Sequence, residues 1–364
     1  MRFGTCPVRV WIKLLCMGLL VGVSDGCGPP SPGSEESEPL PSQGPYIGME
    51  PPGNEPELFA PGIVADVMNE HSPAIFSPDG RELFWSVVTS ANPGIQRWVM
   101  VHMEQVDGVW SPPRIFSLAH DGQSHVHSIS PDGSRLYFSH EGEALVSERG
   151  DSGWADPQPL PTGIKPDGAG QYVFDLQEAN SGNVYFVGPI NDGPRGWGIL
   201  VSEKHGGEYH RPLPLGEHVN SGNEEETPFV DPEERFILFA SNRPGGFGDQ
   251  DLYVSHRLGD GSWGEAINLG PRINSSAGER YPRISPDRRY LFFVSTRTDF
   301  ADQEHFDQQT LSLSELRSVS TGIKNGLGNI YWVSIESLEG LNPTRGSDRG
   351  GNPEPYGPGS TKPT

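Results

Sequence analysis

A short motif recurs five times along this chain at nearly constant spacing. A four-residue turn precedes a strand rich in aromatic residues, and in its complete form the turn reads Ser-Pro-Asp-Gly. The fourth turn residues are Gly80, Gly133, Gly182, Glu234 and Arg288, so that consecutive copies lie 49 to 54 residues apart. Self-similarity at a period of this length indicates a repeat architecture, in which each copy folds as one supersecondary unit and packs on its neighbours.

Each copy contains further strands in a fixed order. A third strand follows the aromatic strand, and then a glycine turn with an aromatic residue, as in Gly108 with Trp110 and Gly261 with Trp263. Four short strands in about 50 residues is typical of a propeller blade. The sequence therefore predicts an all-β protein, a β-propeller of four-stranded blades. Five blades are expected, and six is the alternative if an insertion near residues 298–327 hides a degenerate blade.

The fifth copy stops after its third strand. Residues 57–62 read Glu-Leu-Phe-Ala-Pro-Gly, which resembles Glu-Ala-Ile-Asn-Leu-Gly at 265–270, the outer-strand segment of the fourth copy. An N-terminal strand in that place would close the ring and cover two sheet edges that would otherwise invite aggregation. We therefore expect the N-terminal strand to complete blade five.

These units resemble the WD40-like β-propeller repeat family of exported bacterial proteins, a TolB-propeller-like group. The residues that carry the resemblance are the Ser-Pro-Asp-Gly turns with their aromatic strands, and the stretch Ser-Asn-Arg-Pro-Gly-Gly-Phe-Gly-Asp-Gln-Asp-Leu-Tyr-Val-Ser at 241–255. The resemblance covers roughly residues 57–336. The third copy departs from it, because its turn lacks Pro and Asp. The resemblance implies a fold and little about function, since one fold serves many partners.

The two ends of the chain have different compositions from the repeats. Residues 1–26 begin with Arg2 and contain an apolar run over 10–23, which predicts a secretion signal peptide. Residues 27–56 are rich in Pro, Ser, Gly and Glu and are expected to form a tether. The propeller is assigned to residues 57–342, and the Gly- and Pro-rich residues 343–364 to a disordered tail.

Cys27 stands where the signal peptide is expected to end. Gly26 before it fits a lipoprotein signal, whereas Ser24 and Asp25 depart from the usual pattern. The other cysteines, Cys6 and Cys16, lie within the signal, so the exported domain has no partner for a disulfide. We expect lipid on Cys27 to hold the protein on a membrane, in the periplasm or on the cell surface; ordinary cleavage that leaves a free thiol is the alternative.

Charge narrows the range of partners. The chain has 26 basic and 48 acidic residues, a formal net charge of −22. A surface this acidic repels phosphate backbones, so nucleic acid is excluded as the expected partner.

Strand direction predicts which loops of a propeller share a face. The tight turns between first and second strands and between third and fourth strands lie on one side, here called the short-loop face. The loops between second and third strands and between blades form the opposite, long-loop face, where binding residues usually lie. The candidate ligand-binding residues on that face are His71, His125, His127, Arg195, Glu226, Arg243, Arg280 and Arg297.

Several of these candidates have a structural alternative. Arg243 and Arg297 occupy the same repeat position and could tie neighbouring blades, with Glu226 as an arginine partner. His125 and His127 share one side of a strand, but a third ligand at suitable spacing is missing. We therefore predict no metal and no cofactor.

Two functions from different classes fit this pattern. The favoured one is a non-catalytic cell-envelope propeller, a scaffold that binds a protein, peptide or glycan on the long-loop face. The alternative is a five-bladed glycoside hydrolase or lyase, an enzyme that would use the channel carboxylates Glu70, Asp175 and Glu226. The sequence has no Gly-x-Ser-x-Gly elbow, no His-Glu-x-x-His helix and no phosphate-binding loop.

The lipid anchor can be tested directly. Cells that express the protein are labelled with a palmitate analogue, and we expect label on the wild-type chain and none on Cys27→Ser, because the thiol is the attachment point. Equal labelling of the two chains would rule out the anchor.

Overall fold

The computed structural model describes residues 42–89, 96–119, 123–161, 163–164, 173–190, 196–298, 312–338 and 341. Cys27, the signal peptide, residues 27–41 of the tether and the tail from 343 lie outside these ranges. None of the helices in the described ranges is both long and apolar enough to span a bilayer.

The chain forms an all-β propeller of five blades, as the repeats predicted. Each blade is an antiparallel sheet whose first strand lines the central channel. From the channel outward, the strands are Asn69–Glu70 with Ile75–Phe76, Glu82–Val88, Trp98–Val106 and Arg114–Ile115 in blade one; Ser124–Ile129, Arg135–His140, Glu143–Gly150 and Gln158–Pro159 in blade two; Phe174–Glu178, Val184–Pro189, Trp197–Ser202 and Leu213–Pro214 in blade three; Glu225–Val230, Phe236–Ser241, Asp251–His256 and Ile267–Asn268 in blade four; and Glu279–Ile284, Tyr290–Ser295, Asn329–Ser334 and Glu57–Leu58 in blade five.

A few shorter elements complete the described structure. Two-residue strands extend three third-strand hairpins at Val109–Trp110, Gly153–Trp154, and Lys204–His205 with Glu208–Tyr209. Single 3-10 turns occur at Pro45–Gly48, Ser117–Ala119 and Ile335–Ser337. The insertion of blade five contains one α-helix, Leu313–Thr321, and its residues 299–311 lie outside the described ranges.

The repeated turn has a clear physical basis. In blade one the Ser77 hydroxyl donates to the Asp79 carboxylate (2.6 Å) and accepts the backbone N–H of Glu82 (2.9 Å), which closes the turn. The fourth turn residue takes a left-handed backbone, with φ of 70° at Gly80. Glycine adopts this conformation without strain, which explains why the complete motif ends in Gly.

The predicted N-terminal closure is confirmed. Glu57 pairs with Trp332 and Leu58 with Tyr331 in an antiparallel ladder, so the first described strand is the outer strand of blade five. Phe59 follows, has no solvent exposure and packs its ring 5.0 Å from that of Phe292. Closure therefore joins the two ends of the chain by hydrogen bonds and by aromatic packing.

Residues 42–56 pack against the propeller, although their composition suggested a free tether. Tyr46 lies between blades one and five, with ring centroids 5.3 Å from both Phe76 and Tyr290. Ile47 is only 3% exposed, and the Trp110 indole donates to the Gly44 carbonyl (2.8 Å). Two buried side chains in a Pro- and Gly-rich stretch give too weak a periodic pattern to be recognised from sequence.

The hydrophobic core lies between neighbouring sheets, in clusters that each join two blades. Buried carboxylates near the channel reinforce these contacts. Glu178 of blade three accepts hydrogen bonds from Tyr137 (2.7 Å) and Arg135 (2.8 Å) of blade two. Asp231 of blade four pairs with Arg288 of blade five (2.6 Å). Part of the chain's large acidic content therefore ties blades together.

Truncation should reveal how much each N-terminal contact stabilises the fold. Relative to a chain that begins at residue 42, a chain that begins at residue 50 loses the burial of Tyr46 and Ile47. At about 1.5–3 kcal/mol per buried side chain, it should unfold several kcal/mol more easily. A chain that begins at residue 68 also loses the closing strand and Phe59, so its free energy of unfolding should be lower still. Urea denaturation measures all three.

Equal midpoints for the chains that begin at 42 and 50 would show that the Tyr46 contact does not stabilise the fold. Equal midpoints for those that begin at 50 and 68 would show the same for the closing strand.

Candidate functional site

One position of the repeat lies at the same end of the channel in all five blades, and in four of them its residue lines one opening. This is the position on the first strand opposite Ser139 in blade two, Val187 in blade three, Ala240 in blade four and Val294 in blade five. The five residues at that position are His71, His125, Phe174, Glu226 and Arg280. Four of them were predicted from the sequence as ligand-binding candidates, and they meet at the long-loop end of the channel.

The residue after this position has an unusual backbone in three blades. The register of the first strand shifts by a bulge there, and φ is 53° at Asp175, 52° at Thr227 and 55° at Tyr281. Left-handed backbone is rare for a β-branched or bulky residue. A bulge redirects its side chain, and all three side chains line the mouth of the channel. Strain repeated at equivalent positions around one opening is typical of a functional site.

Together these positions enclose an open depression of about 700 Å³, called the funnel below. The two-residue turn Glu141–Gly142 of blade two forms part of its rim, an exception to the expectation of long loops on this face. The residues that line the funnel are His71, Trp98, Gln123, His125, Ser139, Glu141, Gly142, Phe174, Asp175, Val187, Glu226, Thr227 and Tyr281.

Aromatic rings form one continuous wall of the funnel across blades five, one and two. The His71 ring lies 4.3 Å from Trp98 and 5.3 Å from Tyr281, measured between centroids. Trp98 in turn lies 5.3 Å from His125. Phe174 of blade three belongs to the lining as well. The funnel therefore offers flat apolar surface to a ligand.

Hydrogen bonds hold the rings of this wall in place. The His71 Nδ1 atom and the Tyr281 hydroxyl lie 2.6 Å apart, and the His125 Nε2 atom lies 2.6 Å from the His71 carbonyl oxygen. Burial lowers the pKa of His71 to about 3 and that of His125 to about 4, because the charged imidazolium loses its hydration. Both rings are therefore neutral at physiological pH, and the His125 Nε2–H donates to the His71 carbonyl.

A buried charge pair lies at the floor. Burial raises the pKa of Asp175 to about 7; the positive charge of Arg283 lowers it, and the negative charge of Glu226 raises it. The Arg283 guanidinium donates to the carbonyls of Pro228 (3.0 Å) and His127 (3.0 Å). Asp175 itself makes no side-chain hydrogen bond within the described ranges. Its carboxyl is thus held at the funnel floor without a donor.

His127 lies deeper than the sequence suggested. It is 1% exposed, outside the funnel lining, and both of its ring nitrogens lack a hydrogen-bond partner among the described residues. Burial lowers its pKa well below the usual value, so the ring is neutral. No group of three or more His, Cys, Asp or Glu side chains with metal-binding geometry occurs in the described part of the chain.

The predicted arginines do not line the funnel. Arg243 donates to the Val219 carbonyl (2.7 Å) and lies 3.4 Å from Glu225 within blade four. Arg297 lies in the same way 3.2 Å from Glu279 in blade five. These repeat-related arginines have structural partners, as the alternative predicted, but in their own blades rather than between blades, and the acidic partners are Glu225 and Glu279 rather than Glu226. Arg280 pairs with Asp249 (3.3 Å) beside the funnel, and Arg195 lies outside the described residues.

The three carboxylates proposed for an enzyme are not all together. Asp175 and Glu226 share the funnel, where the negative charge of Glu226 raises the pKa of Asp175. Glu70 is fully buried between blades five and one, where it accepts a hydrogen bond from Asn329 (2.8 Å), and burial raises its pKa to about 9. Glu70 therefore ties blades five and one together and lies outside the funnel.

Sequence reasoning missed three residues of the funnel wall: Phe174, Tyr281 and Trp98. Phe174 could have been found by aligning all five first strands, but the irregular turn of blade three obscured the alignment. Tyr281 follows Arg280 directly, and its place depends on the bulge, which no local motif announces. Trp98 opens a third strand that was recognised, without any sign that it faces the channel.

Comparisons with known proteins give fold-level likenesses only. No family model matches the chain, and no curated protein matches it. Solved structures similar to it include TolB from Acinetobacter baumannii (13% identity over 74% of this chain and 55% of that chain, TM-score 0.37) and an α-L-arabinofuranosidase from Podospora anserina in complex with cellotriose (13%, 81% and 96%, TM-score 0.40). A periplasmic gluconolactonase from Pseudomonas aeruginosa is also similar (17%, 61% and 64%, TM-score 0.35). The match thus spans about half the length of that TolB.

Titration of Asp175 tests the electrostatics of the floor. Carbon NMR of labelled aspartate, with the signal assigned by Asp175→Asn, should show a pKa near 7. Glu226→Gln should lower that pKa, because a neighbouring negative charge is lost, and Arg283→Met should raise it. Glu217→Gln, a change at an exposed residue outside the funnel lining, is the matched control and should leave it unchanged. A pKa near 4 in the wild type would contradict the burial of this carboxyl.

Proposed function

We propose that this protein is a non-catalytic scaffold of the cell envelope that binds its ligand in the funnel. The observation that carries the proposal is that one repeat position holds four different residue types in the five blades, and that four of its five residues line a single opening. Where the repeat must only hold the fold, its residues recur, as in the three Ser-Pro-Asp turns. Where it lines the funnel, it presents two histidines, a phenylalanine and a glutamate, while Arg280 of blade five lies beside the opening. Divergence confined to an opening on a rigid frame is expected of a recognition surface.

The size and composition of the funnel support a ligand site. A volume of about 700 Å³ falls in the range of small-molecule pockets. Aromatic walls with a few placed polar groups are the usual composition of such pockets. The opening suits a small molecule, or a chemical group that projects from a protein, peptide or glycan. It is too narrow for a whole folded domain.

The cellular setting is part of the same proposal. A signal peptide and lipid on Cys27 would place the propeller in the periplasm or on the cell surface, attached to a membrane. The partner would then be a protein, peptide or glycan of the envelope. The net charge of −22 continues to argue against nucleic acid.

One observation favours the enzymatic alternative. Asp175 carries a pKa of about 7 beside a second carboxylate, Glu226. A carboxyl that is half protonated at neutral pH could act as a general acid in glycoside hydrolysis or elimination. We rank this second, because Arg283 already faces Asp175 as a structural counter-charge.

Ligand screening with funnel variants tests the scaffold. The purified protein is applied to glycan and peptide arrays, and a retained ligand is measured by calorimetry. Trp98→Ala should weaken its binding roughly tenfold or more, as loss of a central aromatic contact usually does. Phe247→Ala removes an aromatic side chain that is 48% exposed outside the funnel, and should have little effect. Equal effects of the two changes would place the ligand elsewhere.

The same glycans distinguish the enzymatic alternative. If the protein releases sugars, and Asp175→Asn or Glu226→Gln abolishes the release, the protein is an enzyme and the scaffold proposal is wrong. Binding without release supports the scaffold.

A further inference from the structure

We infer that the group held in the funnel is an organic cation, an ammonium or alkylated ammonium. This inference rests on the proposed function, since it names the chemistry of the ligand for that same site. It is carried by the combination of an aromatic wall, carboxylates without a basic hydrogen-bond partner, and the absence of lysine and arginine from the part of the lining that the structure describes.

The charges of the lining are all negative. Three carboxyl groups face the funnel: Asp175, Glu226 and Glu141. Asp175 faces the buried charge of Arg283. Glu226 and Glu141 have no basic partner in the described ranges, where the Glu226 carboxylate accepts one long hydrogen bond, from Gln250 (3.4 Å). An anionic ligand would be repelled here, whereas a cation would find two carboxylates that lack a counter-charge.

Two arginines lie near the funnel, and both have partners. Arg280 pairs with Asp249 at 3.3 Å. Arg283 is buried below the floor, where its guanidinium donates to the carbonyls of Pro228, Pro282 and His127 at 2.8 to 3.0 Å. Both guanidinium groups are therefore bonded to protein groups and neither belongs to the described lining, although the positive charge of Arg280 reaches His71 and Tyr281 of the wall.

The aromatic wall suits a cation because it carries no charge of its own. Cations bind over the faces of aromatic rings, best over indole, and rings combined with acids recognise ammonium groups. Trp98 and Tyr281 belong to the wall, and Phe174 also lines the funnel. The two histidines of the wall stay neutral because they are buried, so they do not oppose a positive ligand.

Asp175 provides independent support for a ligand in the funnel. Its side chain lines the funnel although the residue is only 7% exposed, and it makes no side-chain hydrogen bond within the described residues. Its oxygens are not among the fully buried unsatisfied atoms of the described residues, so they are open to the funnel, where a ligand can reach them. An ammonium group at the floor would donate to them.

The probes are three matched pairs that differ only in charge or in an acylated amine. Choline is compared with dimethylbutanol, its uncharged carbon isostere; glucosamine with N-acetylglucosamine; and a lysine peptide with its acetyl-lysine form. Each is titrated into the full-length protein by calorimetry. We expect at least one charged member to bind roughly tenfold tighter than its neutral partner. The pair with the largest ratio of affinities identifies whether the ammonium belongs to a small quaternary amine, an amino sugar or a peptide.

Charge-removing variants place that binding in the funnel. Glu226→Gln keeps the shape of the side chain and should weaken binding of the charged probe roughly tenfold, with no change in the binding of its neutral partner. Glu217→Gln removes the same charge at an exposed residue outside the funnel lining and should leave both probes unchanged.

Affinity for the charged probe should also rise as the pH increases through about 7. Asp175 is the group that titrates; the groups that act on its charge are Arg283 and Tyr281 of blade five and Glu226 of blade four. A cation favours the ionised carboxyl, so binding is weaker where Asp175 is protonated. Asp175→Asn should remove this pH dependence.

The possible failures can be told apart. Equal affinity for the charged and neutral members of every pair would overturn the inference that the ligand is a cation. Equal losses of affinity in Glu226→Gln and Glu217→Gln would do the same. In either case an array ligand that still depends on Trp98 leaves the proposed function standing. If no array ligand depends on the funnel and no probe binds, the proposed function is wrong as well.

Discussion

The junction between blades five and one is the contact on which the rest of the structure depends. At the other four junctions, one blade follows its neighbour directly along the chain. This junction is instead made by Glu57–Leu58, which lies against the third strand of blade five. The funnel spans the same junction, because the Tyr281 hydroxyl of blade five is bonded to His71 of blade one. Opening the ring would therefore separate two parts of the aromatic wall. Stability and recognition share one set of contacts here.

Most of the fold could be predicted because turns and strand patterns are local properties of the chain. The Ser-Pro-Asp-Gly turns, the third strands and the closing strand each leave a short signature, and each lies where it was expected. Tyr46 could not be predicted, because a single aromatic residue in a Pro-rich stretch does not reveal the hydrophobic space between two blades that receives it. Whether a segment is tethered or packed is decided by such distant contacts.

The site was predictable in part, for a related reason. His71, His125, Glu226 and Arg280 were found because they begin first strands, and that position can be counted from the turns. Arg243 and Arg297 were equally regular, and it is their regularity that marks them as parts of the frame. Tyr281 and Asp175 were placed by a backbone bulge, and Asp175 acquires its raised pKa from burial, a property of the assembled ring.

The place where the N-terminal segment docks gives the molecule a direction. Ser42 and Gly44 lie against the blade-one hairpin turn near Gly108, on the short-loop face, while the funnel opens on the long-loop face. The N-terminal contact and the funnel therefore occupy opposite faces of the propeller, and residues 42–44 leave the opening uncovered.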